Sequence, residues 1–158
     1  MTQMEVETRD RIEKEILIRA PRSRVWRALA DKSEFGTWFG IRFPAGAFTP
    51  GEKVRGQLTY PGYEHVVLEV EIVDVVPDER LSYRWHPYAV ERDVDYSGEP
   101  TTLVTFTLSD DAGGTRLEVV ESGFDRIPLE RRAKAFRSND GGWTQQIHNI
   151  DRHVTANQ

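Results

Sequence analysis

The sequence predicts an α+β fold in which one strand leads into two short helices, an antiparallel meander and a long C-terminal helix. Three observations carry this reading. Residues 11–18 alternate with a period of two, Glu52 to Ser122 is a run of strand-like segments broken by turn signals, and the period becomes helical at Trp143.

In the first segment Ile12, Lys14, Ile16 and Ile18 alternate with Arg11, Glu13, Glu15 and Leu17, a mixed but strand-like pattern. Pro21 follows where a helix can begin without needing its amide hydrogen, and Val25, Trp26 and Leu29 fall on one stripe, so a helix is expected from Pro21 to Ala30. Asp31 or Ser33 caps a second short helix through Trp38, and Gly40 releases the chain. The turn signals Pro61-Gly62, Pro77-Asp78, Ser97-Gly98-Glu99-Pro100 and Asp111-Ala112-Gly113-Gly114 then divide a meander of four or five strands. Val66, Leu68, Val70 and Ile72 give one strand an apolar face, and Leu81, Tyr83 and Trp85 do the same for the next, as in a sheet covered on one side. Trp143, Ile147, Ile150 and Val154 form the stripe of the last helix. Gly141-Gly142 at its expected start costs about 1 kcal/mol per glycine relative to alanine, which close approach of the backbone to sheet or ligand would offset, unless the helix start simply frays.

With 158 residues and no Pro/Ser/Gly-rich linker, the chain is expected to form one domain over residues 11–155 after a flexible N-terminus, 1–10. Four Trp, five Tyr and seven Phe supply a core. No apolar run approaches the roughly 18 residues of a membrane span, and the polar N-terminus lacks a signal peptide's apolar stretch. Zero cysteines exclude disulfides, thiolate ligands and a cysteine nucleophile, and fit a cytoplasmic location. The net charge of −5 argues against nucleic acid as a partner. Arg126, Arg131, Arg132, Lys134 and Arg137 alternate with Glu130 and apolar residues at helical spacing and are expected on a solvated helix face.

Four segments together carry a family resemblance. They are Ala20 to Leu29 running through Asp31 into Phe35-Gly36-Thr37-Trp38-Phe39-Gly40; Val75 to Trp85; Gly113-Gly114-Thr115-Arg116-Leu117 with Glu121-Ser122-Gly123-Phe124; and Gly141-Gly142-Trp143. In this order they resemble the activator of heat-shock-protein-90 ATPase homologue family of the START-like, SRPBCC superfamily, over Arg11 to Val154. The resemblance implies a helix-grip fold, in which a curved antiparallel sheet wraps the long helix and leaves a cavity between them. It also sets the Val25-Trp26 pair against the sheet.

The expected cavity wall consists of Trp38, Phe39 and Phe43 near the entrance loops, Tyr83 and Trp85 on one strand, Phe106 on another, and Trp143 and Ile147 on the helix. Aromatic linings of this kind bind apolar small molecules by desolvation; core packing is the alternative at each position. Phe43, Gly46 and Phe48 make the 40–50 loop a candidate lid. Glu121 is the one carboxylate of special interest, because counting by twos from Leu117 and Val119 puts it on the apolar face. Unpaired there, it would be desolvated, with a raised pKa suited to acid–base work or to anchoring a ligand. The rarity of buried carboxylates favours a strand that ends or bulges earlier, leaving Glu121 near solvent or paired with an arginine.

Other chemistries find little support. His148 and His153 are five apart, on different helix faces, so neither a metal nor another cofactor is expected. His65 is a surface imidazole or sits at the cavity mouth. Asp110 to Gly114 reads as a hairpin turn, and Arg92 to Tyr96 as a solvated loop without a calcium-binding pattern. No nucleophile elbow, P-loop or dinucleotide fingerprint occurs. The first functional expectation is a ligand-binding protein for a hydrophobic or aromatic molecule, lipid or polyketide-like. The alternatives are an interaction protein that stimulates a chaperone ATPase, as the resemblance suggests, and a cavity-based cyclase or hydrolase using Glu121 or His65. A second copy of the chain is a further candidate partner through a sheet edge or the Trp38-Phe39 turn.

Overall fold

Alternation of apolar and charged side chains makes Arg11–Ile18 a strand, β1, with Ile12 and Ile18 buried. In this computed structural model residues 10–158 are described; all but the last residue of the expected flexible N-terminus therefore lies outside the described residues. Helices α1 (Arg22–Ala30) and α2 (Lys32–Phe39) follow. Of the two capping candidates, Asp31 does the work: its carboxylate accepts the Glu34 amide at 2.9 Å. Gly40 ends α2 at φ 93°, and a Cβ there would sit 2.6 Å from the Tyr60 ring, so both conformation and space require glycine.

Six further strands complete an antiparallel sheet: β2 (Ile41–Arg42), β3 (Lys53–Leu58), β4 (Val67–Val76), β5 (Arg80–Trp85), β6 (Thr102–Asp111) and β7 (Gly114–Ser122). Their order is β1-β7-β6-β5-β4-β3-β2: the five strands β3 to β7 fill the expected meander, the short β2 adds a sixth at its edge, and β1 pairs with β7. The Asp111-Ala112-Gly113-Gly114 turn is the expected hairpin, with Asp111 paired to Gly114. A short 3₁₀ turn, Phe124–Arg126, leads into α3 (Leu129–Ala156).

The long helix differs from expectation in one respect. The helical spacing around Arg131 and the stripe from Trp143 belong to a single element of 28 residues, roughly 42 Å long. Gly141-Gly142 therefore lies mid-helix, and a Cβ on either residue would meet nothing within 4 Å, so no close backbone approach compensates the pair.

The sheet's inner face and the three helices enclose one apolar core. Phe35 is its hub, with the rings of Trp38, Phe39, Phe43, Phe48, Tyr83 and Phe106 between 4.6 and 6.3 Å away. Phe43 and Phe48 are buried in this cluster, and the 40–50 segment is held by Lys32 N–H to Gly46 and Phe48 N–H to Ala30. That segment is packed into the core rather than poised as a lid. Val25 is buried and Trp26 half-buried at the core's edge.

Glu34 fastens the three helices together. Its carboxylate takes Arg24 at 3.0 Å, Arg27 at 2.8 Å and His153 at 2.9 Å. Burial raises this carboxyl's pKa, but the bonds from His153, Arg27 and Arg24 outweigh it and leave it below its ordinary value. Among the described residues no helix is long and apolar enough to cross a membrane.

Candidate functional site

The alternation of β7 runs without a break through Ser122, so Thr115, Leu117, Val119 and Glu121 all turn inward. Glu121 pairs with Val104 on one side and Ile12 on the other and is fully buried. The strand neither ends nor bulges before it, and the partners the structure gives it among the described residues are not arginines. They are four uncharged groups. The Trp85 indole N–H donates to one carboxylate oxygen at 2.8 Å, and the Thr102 hydroxyl to the same oxygen at 2.6 Å. The Trp143 indole N–H donates to the other at 2.8 Å. The Asn139 amide nitrogen spans both, at 3.0 and 3.2 Å. Burial dominates and pushes the Glu121 carboxyl above its ordinary value, against the pull of the donors from Thr102, Trp85, Trp143 and Asn139.

Two of those donors, Trp85 and Asn139, also border a pocket of about 320 Å³. It lies between α3 and the inner face of β3 to β5. Phe39, Leu58, Leu68 and Trp85 form its apolar wall, and Tyr60, Asn139 and Gln146 its polar side. Gly142 also borders it, so the missing side chain leaves room within the pocket. Gln146 is fully used: its nitrogen donates to the Phe39 carbonyl at 2.8 Å and to the Tyr60 hydroxyl at 3.1 Å, and its oxygen accepts from Asn149 at 3.0 Å. Tyr60 donates to the same Phe39 carbonyl.

The pocket is roofed by the segment between β5 and β6, residues 86–101, through His86, Tyr88, Ala89 and Val90. Its outer part around Arg92 to Asp95 is exposed, as expected, but its base is latched to α3. Arg131 pairs with Glu99 at 2.8 Å, donates to the Tyr88 carbonyl at 3.3 Å and lies over the Tyr96 ring at 4.8 Å. Arg131 thus leaves the solvated face on which its spacing placed it. Tyr88 holds a left-handed backbone, φ 52°, where the segment turns over the pocket.

The nine candidate residues separate into distinct settings. Phe39 and Trp85 line the pocket. Glu121 and Trp143 lie behind it, with the Trp143 ring 6.0 Å from Trp85 and 6.1 Å from Phe39. Trp38 donates its indole N–H to the Ala28 carbonyl at 2.8 Å and borders a separate shallow depression with Tyr60 and Arg152. Phe43, Tyr83, Phe106 and Ile147 are packed in the core. The Tyr83 hydroxyl is buried without a protein hydrogen-bond partner among the described residues, and burial, reinforced by the Glu121 charge, raises its pKa well above the ordinary range.

His65 is exposed and within 2.9 Å of the Val90 carbonyl, in a groove of about 750 Å³ between Arg55, Glu69 and the outer part of the roof. Among the described residues no three His, Asp or Glu side chains converge to hold a metal ion. Asn139 and Gln146 escaped the sequence reading, and Gly142 entered it only as half of the Gly141-Gly142 pair at the expected helix start. Their offsets of three and four follow the same face as Trp143, a signal that extending the helix toward Leu129 exposes.

Solved structures share the fold. The protein MLL2253 from Mesorhizobium loti matches with a TM-score of 0.73 and 23% identity, over 94% of this chain and 98% of that one. DynU16, described as a protein in the dynemicin biosynthetic locus, matches with a TM-score of 0.70 and 24% identity over 93% of this chain and 48% of its own. The Aha1 dimer from Colwellia psychrerythraea gives 0.68 and 13% over 91% and 95%. A comparison with curated proteins finds no match. The family described as Activator of Hsp90 ATPase homolog 1-like protein matches residues 19–155. With the helix-grip sheet, the gripped helix and this match over most of its length, the chain belongs to that family.

Proposed function

We propose that the protein binds a hydrophobic or aromatic small molecule between the sheet and α3. The observation that carries this reading is the 320 Å³ pocket walled by Phe39, Leu58, Leu68 and Trp85, with polar groups from α3, Tyr60 and the roof around it. Ligand sites have this size and this division of labour: apolar walls give affinity, and a few fixed polar atoms give orientation. The pocket is also prearranged, because Trp85 and Asn139 are held from behind by Glu121. The description of DynU16 as a protein of the dynemicin biosynthetic locus supports a biosynthetic small molecule as the occupant.

The test is a titration of isotope-labelled protein with apolar and aromatic compounds, read at the four tryptophan indoles. Saturable shifts at Trp85 and Trp143, with Trp26 unmoved, support the reading. An unmoved Trp85 across fatty acids, sterols and fused-ring aromatics sinks it. A chaperone partner, favoured by the family's description, is tested separately by adding the protein to an Hsp90 ATPase assay. Absence of stimulation removes that reading and leaves the pocket untouched.

A further inference from the structure

Resting on the ligand-binding reading, we infer that the pocket selects neutral aromatic molecules bearing a hydroxyl or N–H donor and rejects carboxylates. The inference follows from which ends of the lining groups are already used. Asn139 commits its amide nitrogen to both oxygens of Glu121. Reversing the amide would set its oxygen against a carboxylate, so its orientation is fixed by chemistry, and the oxygen is the end left for the pocket that Asn139 borders. Gln145 is less one-sided: its nitrogen donates one N–H to Asn149 at 3.0 Å, leaving its oxygen and a second N–H.

His86 adds a ring nitrogen. Its Nε2 lies 3.0 Å from the Glu99 carbonyl, which only accepts, so Nε2 carries a proton and Nδ1 is the end left over, an acceptor whenever the ring is neutral. Gln146 and Tyr60 have no donor to spare, as their bonds to Phe39 and to each other show. The hydroxyls of Tyr88 and Ser138 can donate or accept and do not reverse the balance.

Charge points the same way. Among the described residues no lysine or arginine lines the pocket, though Lys134 and Arg131 reach Tyr88 of its roof, and Glu121 stands directly behind two of its lining residues. A carboxylate placed here would lose water, gain no counter-charge and meet both acceptors and a buried carboxyl group. A phenol would lose little on desolvation and gain an acceptor it can reach. A fused-ring aromatic suits a pocket of about 320 Å³ that Trp85 borders and that the missing side chain of Gly142 widens.

Three ligands of one shape test this at neutral pH: naphthol, methylnaphthalene and naphthoate, each titrated against the wild-type protein with the Trp85 indole as reporter. The expected order is naphthol tighter than methylnaphthalene by about tenfold, the worth of one hydrogen bond, with naphthoate weakest. Naphthoate binding as tightly as naphthol overturns the inference while leaving the pocket reading intact. Saturation by none of the three at Trp85 overturns both. Asn139→Ala then assigns the acceptor: the naphthol preference over methylnaphthalene should shrink to within about twofold, and its persistence at about tenfold removes Asn139 from the argument.

Discussion

Trp85 and Trp143 reach the same carboxylate from opposite layers: one indole comes from β5 and the other from α3, each donating at 2.8 Å to a different oxygen of Glu121, with their rings 6.0 Å apart. The buried carboxylate is thereby the joint between sheet and helix, and the wall of the pocket is set by that joint.

Replacing Glu121 should be costly. Glu121→Ala strands two indole N–H groups, a hydroxyl and an amide in a dry site, and is expected to lose roughly 3–5 kcal/mol. Glu121→Gln keeps the shape but sets an NH₂ against an indole donor and should lose roughly 1–3 kcal/mol. Urea unfolding of both variants measures the order, and a loss below that of an ordinary surface substitution would contradict the geometry.

The pH dependence has two parts of opposite sign. The Glu121 pKa is raised above 4.5 in the fold, so between that value and its folded pKa the native state holds the extra proton, and stability from this group falls as pH rises. Glu34 is lowered from 4.5, so its contribution is present above that pH and is lost as pH falls through the folded value. Urea midpoints measured across pH 3–8, a range set roughly by these carboxylates, should show a loss on the acid side that Glu34→Gln reduces. They should also show a decline above 4.5 that Glu121→Gln removes.

Gly141 and Gly142 separate stability from binding. Neither glycine crowds a neighbour, so Gly141→Ala and Gly142→Ala should each stabilise α3 by about 1 kcal/mol, or about 2–4 °C in Tm. Gly142→Leu should project into the pocket and abolish ligand binding in a folded protein, while Gly141→Leu leaves binding intact. Thermal scans and the Trp85 titration read the two effects side by side.

The roof depends on Arg131. Arg131→Met removes the Glu99 pair and the bond to the Tyr88 carbonyl. Amide exchange in 86–101 should accelerate about tenfold or more, with global stability changing by about 1 kcal/mol or less. Uniform acceleration throughout the sheet would show that the latch is not local.

Tyr83→Phe removes a buried hydroxyl that has no partner among the described residues and should hold or raise stability by up to about 1 kcal/mol in urea unfolding.

Local signals made most of the fold legible in advance. The β1 and β7 alternations, the Asp31 cap and the Gly40 stop are each written within a few residues, and parity alone turned Glu121 inward. The buried setting of Glu121 was harder to accept, because its partners stand 18 to 36 residues away along the chain and no local pattern announces Thr102 or Asn139. Likewise Gly141-Gly142 hid the first half of α3, since low propensity reads as a helix start while tertiary packing carries the helix through it. Phe43 and Phe48 looked like lid residues because nothing in their own segment reveals Phe35, the ring they pack against.

The carboxylate at that joint also dictates an order of assembly. Trp85, Thr102 and Glu121 are brought together by the sheet alone, while Asn139 and Trp143 arrive only with the helix. Until docking, water must serve the remaining lone pairs, and at docking it must leave as the two side chains enter. Drying of one acid and seating of the helix are therefore coupled: the helix cannot be fully docked while water still holds the lone pairs that Asn139 and Trp143 occupy in the fold.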